Sequence, residues 1–279
     1  MERDNKDTDE DFEKMLDDGV DKDFDTDIDD LQKKKIDSKR IKKIDQSKKR
    51  SAIESVFDER TVFSLNKLLI NGPLERVEGV ISAGKEANIY LGYDLKGNEV
   101  AIKIYKIDSN TSKWMRNYII GDPRFKHIPK NVSKIIFLWA SKEFKNLKRA
   151  HKVGLSVPKP LFIKDNILIM EYVGFESIPA PILKDIKRPI NLMNELLSFI
   201  KILYQKGKLV HGDLSEFNIL YHNQKPVIID ISQAISIHHP KAEVFLVRDI
   251  KNIFKYFEKL GIDTPDPEDF YYEVINVNK

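Results

Sequence analysis

The chain of 279 residues contains no cysteine. That removes disulfides, thiolate nucleophiles and cysteine-based zinc sites together, so any metal must be held by oxygen or histidine. Long apolar runs are missing as well. No window approaches the roughly eighteen consecutive apolar residues that a membrane-spanning helix requires. The opening MERDNKDTDEDFEKM is acidic where a signal peptide needs a basic start and then an apolar stretch. A cytoplasmic protein without a membrane partner is therefore expected. No internal repeat is visible.

What is present is unevenly distributed. The net charge of +3 conceals an acidic block from Met1 to Leu31, with DKDFDTDIDD at its centre, followed by a basic one from Lys33 to Arg50. Such blocks resist collapse, so residues 1–50 are expected to form a disordered acidic-then-basic tail. Read from charge alone, it is either a solvated tail or one that touches RNA or folds back on a basic surface.

Order is expected from Ser51. A helical pattern over Phe57 to Ile70 stops at Asn71-Gly72-Pro73, and β-rich pieces follow at Val77 to Ser82, Ala87 to Tyr93 and Glu99 to Tyr105. A helix-favouring stretch from Thr111 to Ala150 is broken at Gly121-Asp122-Pro123. Its second part is expected to carry Ile136, Trp139, Phe144 and Leu147 on one side and to end at Gly154. Strands at Pro160 to Ile163 and Ile167 to Tyr172 come next, and then helices over Asn191 to Gln205, Pro240 to Leu260 and Pro267 to Val277. A sheet-rich first part and a helical second part imply an α+β fold of two lobes, 51–174 and 175–279.

The chemistry lies in LVHGDLSEFNIL, Leu209 to Leu220, and in PVIIDISQA after it. His211, Asp213 and Asn218 fall between two apolar strands, and Asp230 ends another. Two carboxylates and a carboxamide at neighbouring strand ends suit a magnesium–nucleotide site: Asp213 orients the acceptor, while Asn218 and Asp230 hold an oxygen-seeking Mg²⁺. The bland alternative is that these residues only cap turns. Against it, the other parts of a protein-kinase-like fold occur upstream in order. ISAGKEANIY offers a small-residue turn for phosphates, and VAIKIY places Lys103 on a strand where it could pair with phosphates and with a helix glutamate, for which Glu143 is the candidate.

SAGKEAN at Ser82 to Asn88, HGDLSEFNIL at His211 to Leu220, and IIDISQA followed by HPKAEVFLVRDIKNI together resemble the RIO kinases, an atypical serine/threonine protein-kinase family, in their type 1 branch. Ala83 stands where the family pattern has Thr. The resemblance spans roughly Val56 to Glu258 and leaves the tail unmatched. It implies a two-lobed RIO domain with a small β-rich N-lobe, and a helical C-lobe lacking the activation segment and peptide-binding helices. It also implies ATP with Mg²⁺, or Mn²⁺ in its place. Ser82, Lys85 and Glu86 would face the phosphates, Lys103 would bridge them, and backbone at Glu171 and Val173 would meet adenine, with Met170 behind. Asp213 would be the base, and Asp230 both a metal ligand and a phosphoryl acceptor, which gives ATPase turnover beside autophosphorylation. Gly212 replaces the Arg of H-R-D, so an activation-loop phosphate cannot be read through that arginine.

The family's partner is the precursor of the small ribosomal subunit, and no feature calls for DNA. Lys113, Arg116, Arg124 and Lys126, interleaved with Trp114, Tyr118 and Phe125, are candidate RNA contacts. Ser109, Thr111 and Ser112 in the same segment are candidate autophosphorylation sites, and His238-His239 reads as structural. Two rivals stay open on the residues alone: a small-molecule phosphotransferase of the aminoglycoside or choline type, which shares H-G-D-L, and an assembly factor that binds ATP without catalysis.

Overall fold

The computed structural model describes residues 57–187 and 192–275, and the expected tail lies outside them. Helix α1, Glu59–Ile70, opens on Asp58, whose carboxylate accepts the Arg60 and Thr61 N–H groups at 3.1 and 3.2 Å. This is the N-cap geometry that aspartate favours. Thr61, Ser64, Leu65 and Leu68 form its buried face at helical spacing.

Three strands then run as an antiparallel meander: β1, Leu74–Ala83; β2, Ala87–Asp94; and β3, Glu99–Tyr105. The β2–β3 turn is held by Asp94, which accepts the Lys96 and Asn98 N–H groups, both at 2.8 Å, around Gly97 at φ 84°. The sheet is completed by β4, Pro160–Lys164, and β5, Ile167–Glu171, in the order β1-β2-β3-β5-β4. Leu74, Val100, Ile102, Ile104, Ile167 and Ile169 form a core with Leu65 and Leu68 of α1.

Between β3 and β4 lie α2, Ser109–Ile119, and α3, Val132–Lys152. The break at Gly121 falls where the sequence places it, but α3 is not the one-sided helix expected. Polar Ser141, Lys142, Glu143 and Asn146 are buried along with Ile136, Trp139, Phe144 and Leu147.

After β5 come a two-residue hairpin, β6, Gly174–Phe175, and β7, Ile178–Pro179, and then a 3₁₀ turn at Leu183–Asp185. Helix α4, Leu192–Gln205, precedes β8, Leu209–Val210. Strands β9, Ile219–His222, and β10, Lys225–Ile228, pair with each other, and β11, Ile235–Ser236, pairs with β8. Helices α5, Ala242–Lys259, and α6, Pro267–Ile275, follow and pack through Phe254 and Phe270, whose ring centroids are 5.6 Å apart.

The chain forms two compact units. Among the described residues, one takes 57–113, Pro129–Phe144 and Pro160–Tyr172; the other takes Trp114–Ile128, Lys145–Lys159 and those from Val173 onward. The expected cut after 174 is thus two residues from the last change of unit, but 114–128 and 145–159, read as N-lobe, pack with the second unit. Among the described residues no helix is long and apolar enough to cross a membrane.

Candidate active site

In the first unit the sheet and α3 build a buried ion pair. Lys103 lies on β3 opposite Ile89 and Leu168, and its Nζ donates to Glu143 Oε1 at 2.8 Å, with both side chains almost wholly enclosed. Tyr105, two residues along the strand, donates its hydroxyl to Glu143 Oε2. A charge pair at this depth persists only when its remaining polar atoms are satisfied, and Tyr105 supplies that. Tyr105 is absent from the sequence reading; its sign would have been the i, i+2 spacing to Lys103, which puts both on one face of the strand.

Ser82 and Ala83 extend β1 to its end, so the expected phosphate turn is confined to Gly84, Lys85 and Glu86. Gly84 N–H donates to Ala87 O at 2.9 Å, and Lys106 N–H donates to Glu86 O at 2.8 Å. Lys106 Nζ reaches Gly84 O at 2.6 Å, a tie the sequence gave no sign of. Ser82 and Lys85 are exposed and Glu86 half-buried. Glu171 ends β5, exposed, and Met170 is buried opposite Ala101.

In the second unit the loop from His211 to Asn218 joins β8 to β9. Its course is set from α5: Asp249, fully buried, accepts the Gly212 N–H at 2.7 Å and the Leu214 N–H at 2.9 Å. Burial pushes the Asp249 carboxyl up to about 7, against the pull of those two donors and of Arg248. Arg248 donates to Gly212 O and stacks over Phe245 at 4.6 Å. Gly212 lies at φ 78°, with Gln233 O and the Phe245 ring 3.3 Å from where a Cβ would stand. Where the ordinary kinase motif has Arg, this loop therefore favours glycine.

Asp213 accepts a hydrogen bond from Gln233 Nε2 at 2.9 Å. Burial raises its carboxyl above the ordinary value, Arg248 opposes the shift, and the nearby charge of Asp230 adds to it. Asn218 Nδ2 donates to the backbone O of Asp213 at 2.8 Å, which turns Oδ1, the metal-seeking atom, the other way. Ile229 N–H donates to Asn218 O at 2.9 Å, so past the ends of β9 and β10 Asn218 lies beside Ile229, the residue before Asp230. Asp230 takes a left-handed backbone, φ 56°, and its Oδ1 accepts from Ser232 Oγ at 2.8 Å. One carboxylate and one carboxamide oxygen fit Mg²⁺, which keeps waters and phosphate oxygens as its other ligands. Among the described residues no cluster of three or more histidine or acidic side chains could hold an ion by itself. Val173 begins the last stretch of this unit, and its carbonyl accepts the Ala180 N–H at 3.0 Å.

The candidate RNA segment is more internal than its composition suggests. Arg124 is engaged by Asp122, Asn146 and Ala234 O, and Phe125 is buried. Trp114 and Tyr118 stack at 4.9 Å, and Tyr118 meets Phe245 at 5.5 Å. Lys113 and Lys126 are exposed. Ser112 is buried and Thr111 is bonded to Asp108, which leaves Ser109 as the exposed hydroxyl of the three. His239 is buried, bonded to Ile120 O at 3.0 Å and to Lys241 N–H at 3.0 Å.

Residues 88–270 match the RIO domain family. The chain is 37% identical over 238 residues to the RIO-type serine/threonine-protein kinase Rio1 of Haloferax volcanii, covering 85% of this chain and 80% of that one. To the serine/threonine-protein kinase RIO1 of Caenorhabditis elegans it is 42% identical over 233 residues, covering 79% of this chain; it spans only 45% of that longer protein. Among solved structures, the Rio2 kinase–ADP/Mg²⁺–phosphoaspartate complex from Chaetomium thermophilum aligns with a TM-score of 0.59 at 26% identity, over 77% of this chain and 66% of that one. Matched over most of its length in sequence and in protein-kinase-like fold, this chain belongs to the RIO family of atypical serine/threonine protein kinases, in its RIO1 branch.

Proposed function

We propose that the chain transfers the γ-phosphoryl group of ATP, with Asp230 as the first acceptor and water or a serine hydroxyl as the second. The observation that carries this reading is the placing of Asp213, Asn218 and Asp230 by the ends of β8, β9 and β10, with Asp213 kept above its ordinary pKa and Asn218 Oδ1 turned outward. Asn218 and Asp230 would hold Mg²⁺, which when bound neutralises charge building on the phosphates. Lys103, held straight by Glu143, would neutralise phosphate oxygens, and Ser82 at the end of β1 with the Gly84–Glu86 turn would lie along them. An Asp230 oxygen bonds to the γ-phosphorus while the bond to the bridging oxygen breaks, and ADP leaves with that electron pair. Asp213 then takes a proton from water, which attacks the acyl phosphate, releases inorganic phosphate and restores the carboxylate.

The partner that fits is a precursor of the small ribosomal subunit. Exposed Lys113 and Lys126 and the basic block at Lys33 to Arg50 support a phosphate-rich surface as the target. The test is incubation with Mg²⁺ and γ-labelled ATP, with and without small subunits, following free phosphate and protein-bound label. Expected are subunit-stimulated phosphate release and a hydroxylamine-sensitive label that is lost in Asp230→Ala. Acid-stable label on serine that forms with no hydroxylamine-sensitive label at any time point would overturn the acyl-phosphate step.

A further inference from the structure

A buried polar network around Gly121–Phe125 is used by none of the steps above. Asp122 and Asn146 are fully enclosed, and Arg124 is half-buried, its side chain 20% exposed. Arg124 Nε and Nη2 form a fork on Asp122, at 2.9 and 2.6 Å. Its Nη1 donates to Asn146 Oδ1 at 2.6 Å, and Nη2 also reaches Ala234 O at 3.1 Å. With Oδ1 so engaged, Asn146 Nδ2 must point the other way, and it donates to Ile231 O at 2.9 Å and to Ala234 O at 3.0 Å. Asp122 Oδ2 lies 3.4 Å from the Ser236 N–H.

Every one of these outer contacts falls on the stretch Ile231–Ser236 that leaves Asp230. Asp230 itself holds a left-handed backbone, which an L-residue keeps only when its surroundings fix it. Only a planar guanidinium can serve Asp122, Asn146 and the Ala234 carbonyl at once; a lysine ammonium would keep the charge beside Asp122 and lose the fork. We propose that Arg124, acting through Asn146 and seated on Asp122, is a positioning residue that fixes the loop after Asp230 and thereby the direction of the Asp230 carboxylate. The role rests on the reading of Asp230 as the metal-binding acceptor, and it explains why an arginine in a basic, aromatic segment faces inward.

The test compares the full chain with Arg124→Lys and Asn146→Ala. Amide hydrogen exchange over Ser232–Ser236 should quicken about tenfold or more in both variants, while exchange in β3 and α5 stays unchanged. In turnover, kcat should fall about tenfold or more, KM for ATP should stay within about twofold, and the Mg²⁺ concentration for half-maximal rate should rise several-fold. A merely structural part would lower the melting temperature without moving the Mg²⁺ dependence of the folded fraction. Unchanged exchange over Ser232–Ser236 overturns the proposal, and so does faster exchange with an unaltered Mg²⁺ dependence. Should the unmodified chain show no turnover, the functional reading fails, and exchange together with Mn²⁺ binding in the presence of ADP, read by water-proton relaxation, still decides the positioning role.

Discussion

Asp249 has almost no access to water, yet it holds two backbone N–H groups of the loop that carries Asp213. Its carboxyl moves from the ordinary 3.8 to about 7 because burial disfavours the charge. Below about pH 4 it is protonated in both folded and unfolded chains; from there to about pH 7 only the folded protein keeps the proton. Its contribution to stability is therefore complete at low pH and is lost as pH rises through that window, by an amount on the order of a few kcal/mol. Asp249→Asn cannot titrate, so the stability gap between it and the unmodified chain should narrow between about pH 4 and pH 7 in urea unfolding. Parallel curves would show that the carboxyl does not titrate there. The residues readable in the sequence were those whose chemistry fixes a spacing along the chain, such as Asp213 with Asn218. Asp249 and Asn146 act on partners 22 or more positions away, and no local pattern announces such contacts.

At the scale of the element, long regular segments were legible, and so were the short strands flanking the HGD motif, but other short ones were not. The meander β1–β3 and helices α1, α4 and α5 fall within a few residues of their expected bounds, because alternation and helical spacing are strong over ten residues or so. The two-residue strands β6, β7 and β11 carry no period to detect. In α3 the apolar side and Glu143 as partner of Lys103 were expected, whereas inward-facing Asn146 was not, because its partners lie far along the chain. Trp139, fully buried on this helix with Lys142 Nζ 4.6 Å from its ring, anchors it. Trp139→Ala should destabilise the protein by about 3–5 kcal/mol, read as a lower urea midpoint at unchanged slope. A loss below about 1 kcal/mol would mean that the helix is anchored elsewhere.

For the whole molecule, composition and patterning sufficed for the α+β class, but they suggested one cut along the chain where the structure has several. Residues 114–128 and 145–159 pack with the second unit although they lie in sequence between pieces of the first. Such exchanges follow from contacts between distant segments, which a linear reading cannot weigh. Residues 51–174 produced alone should therefore fail to unfold cooperatively, since Arg124, Asn146 and Phe125 would lose the groups they pack on. A sharp, reversible melt of that piece would contradict the division.

The tie from Lys106 to the Gly84 carbonyl bears on timing. A turn with a single glycine, closed on Ala87 and fastened by a lysine, is already ordered before nucleotide arrives, so little conformational freedom remains to be lost on binding. On the proposal that this turn lies against ATP, such pre-ordering would favour slow release of the spent nucleotide. Lys106→Ala should shorten the residence time of fluorescent ADP by several-fold in stopped-flow displacement, whereas an unchanged off-rate would show that the tie does not slow release.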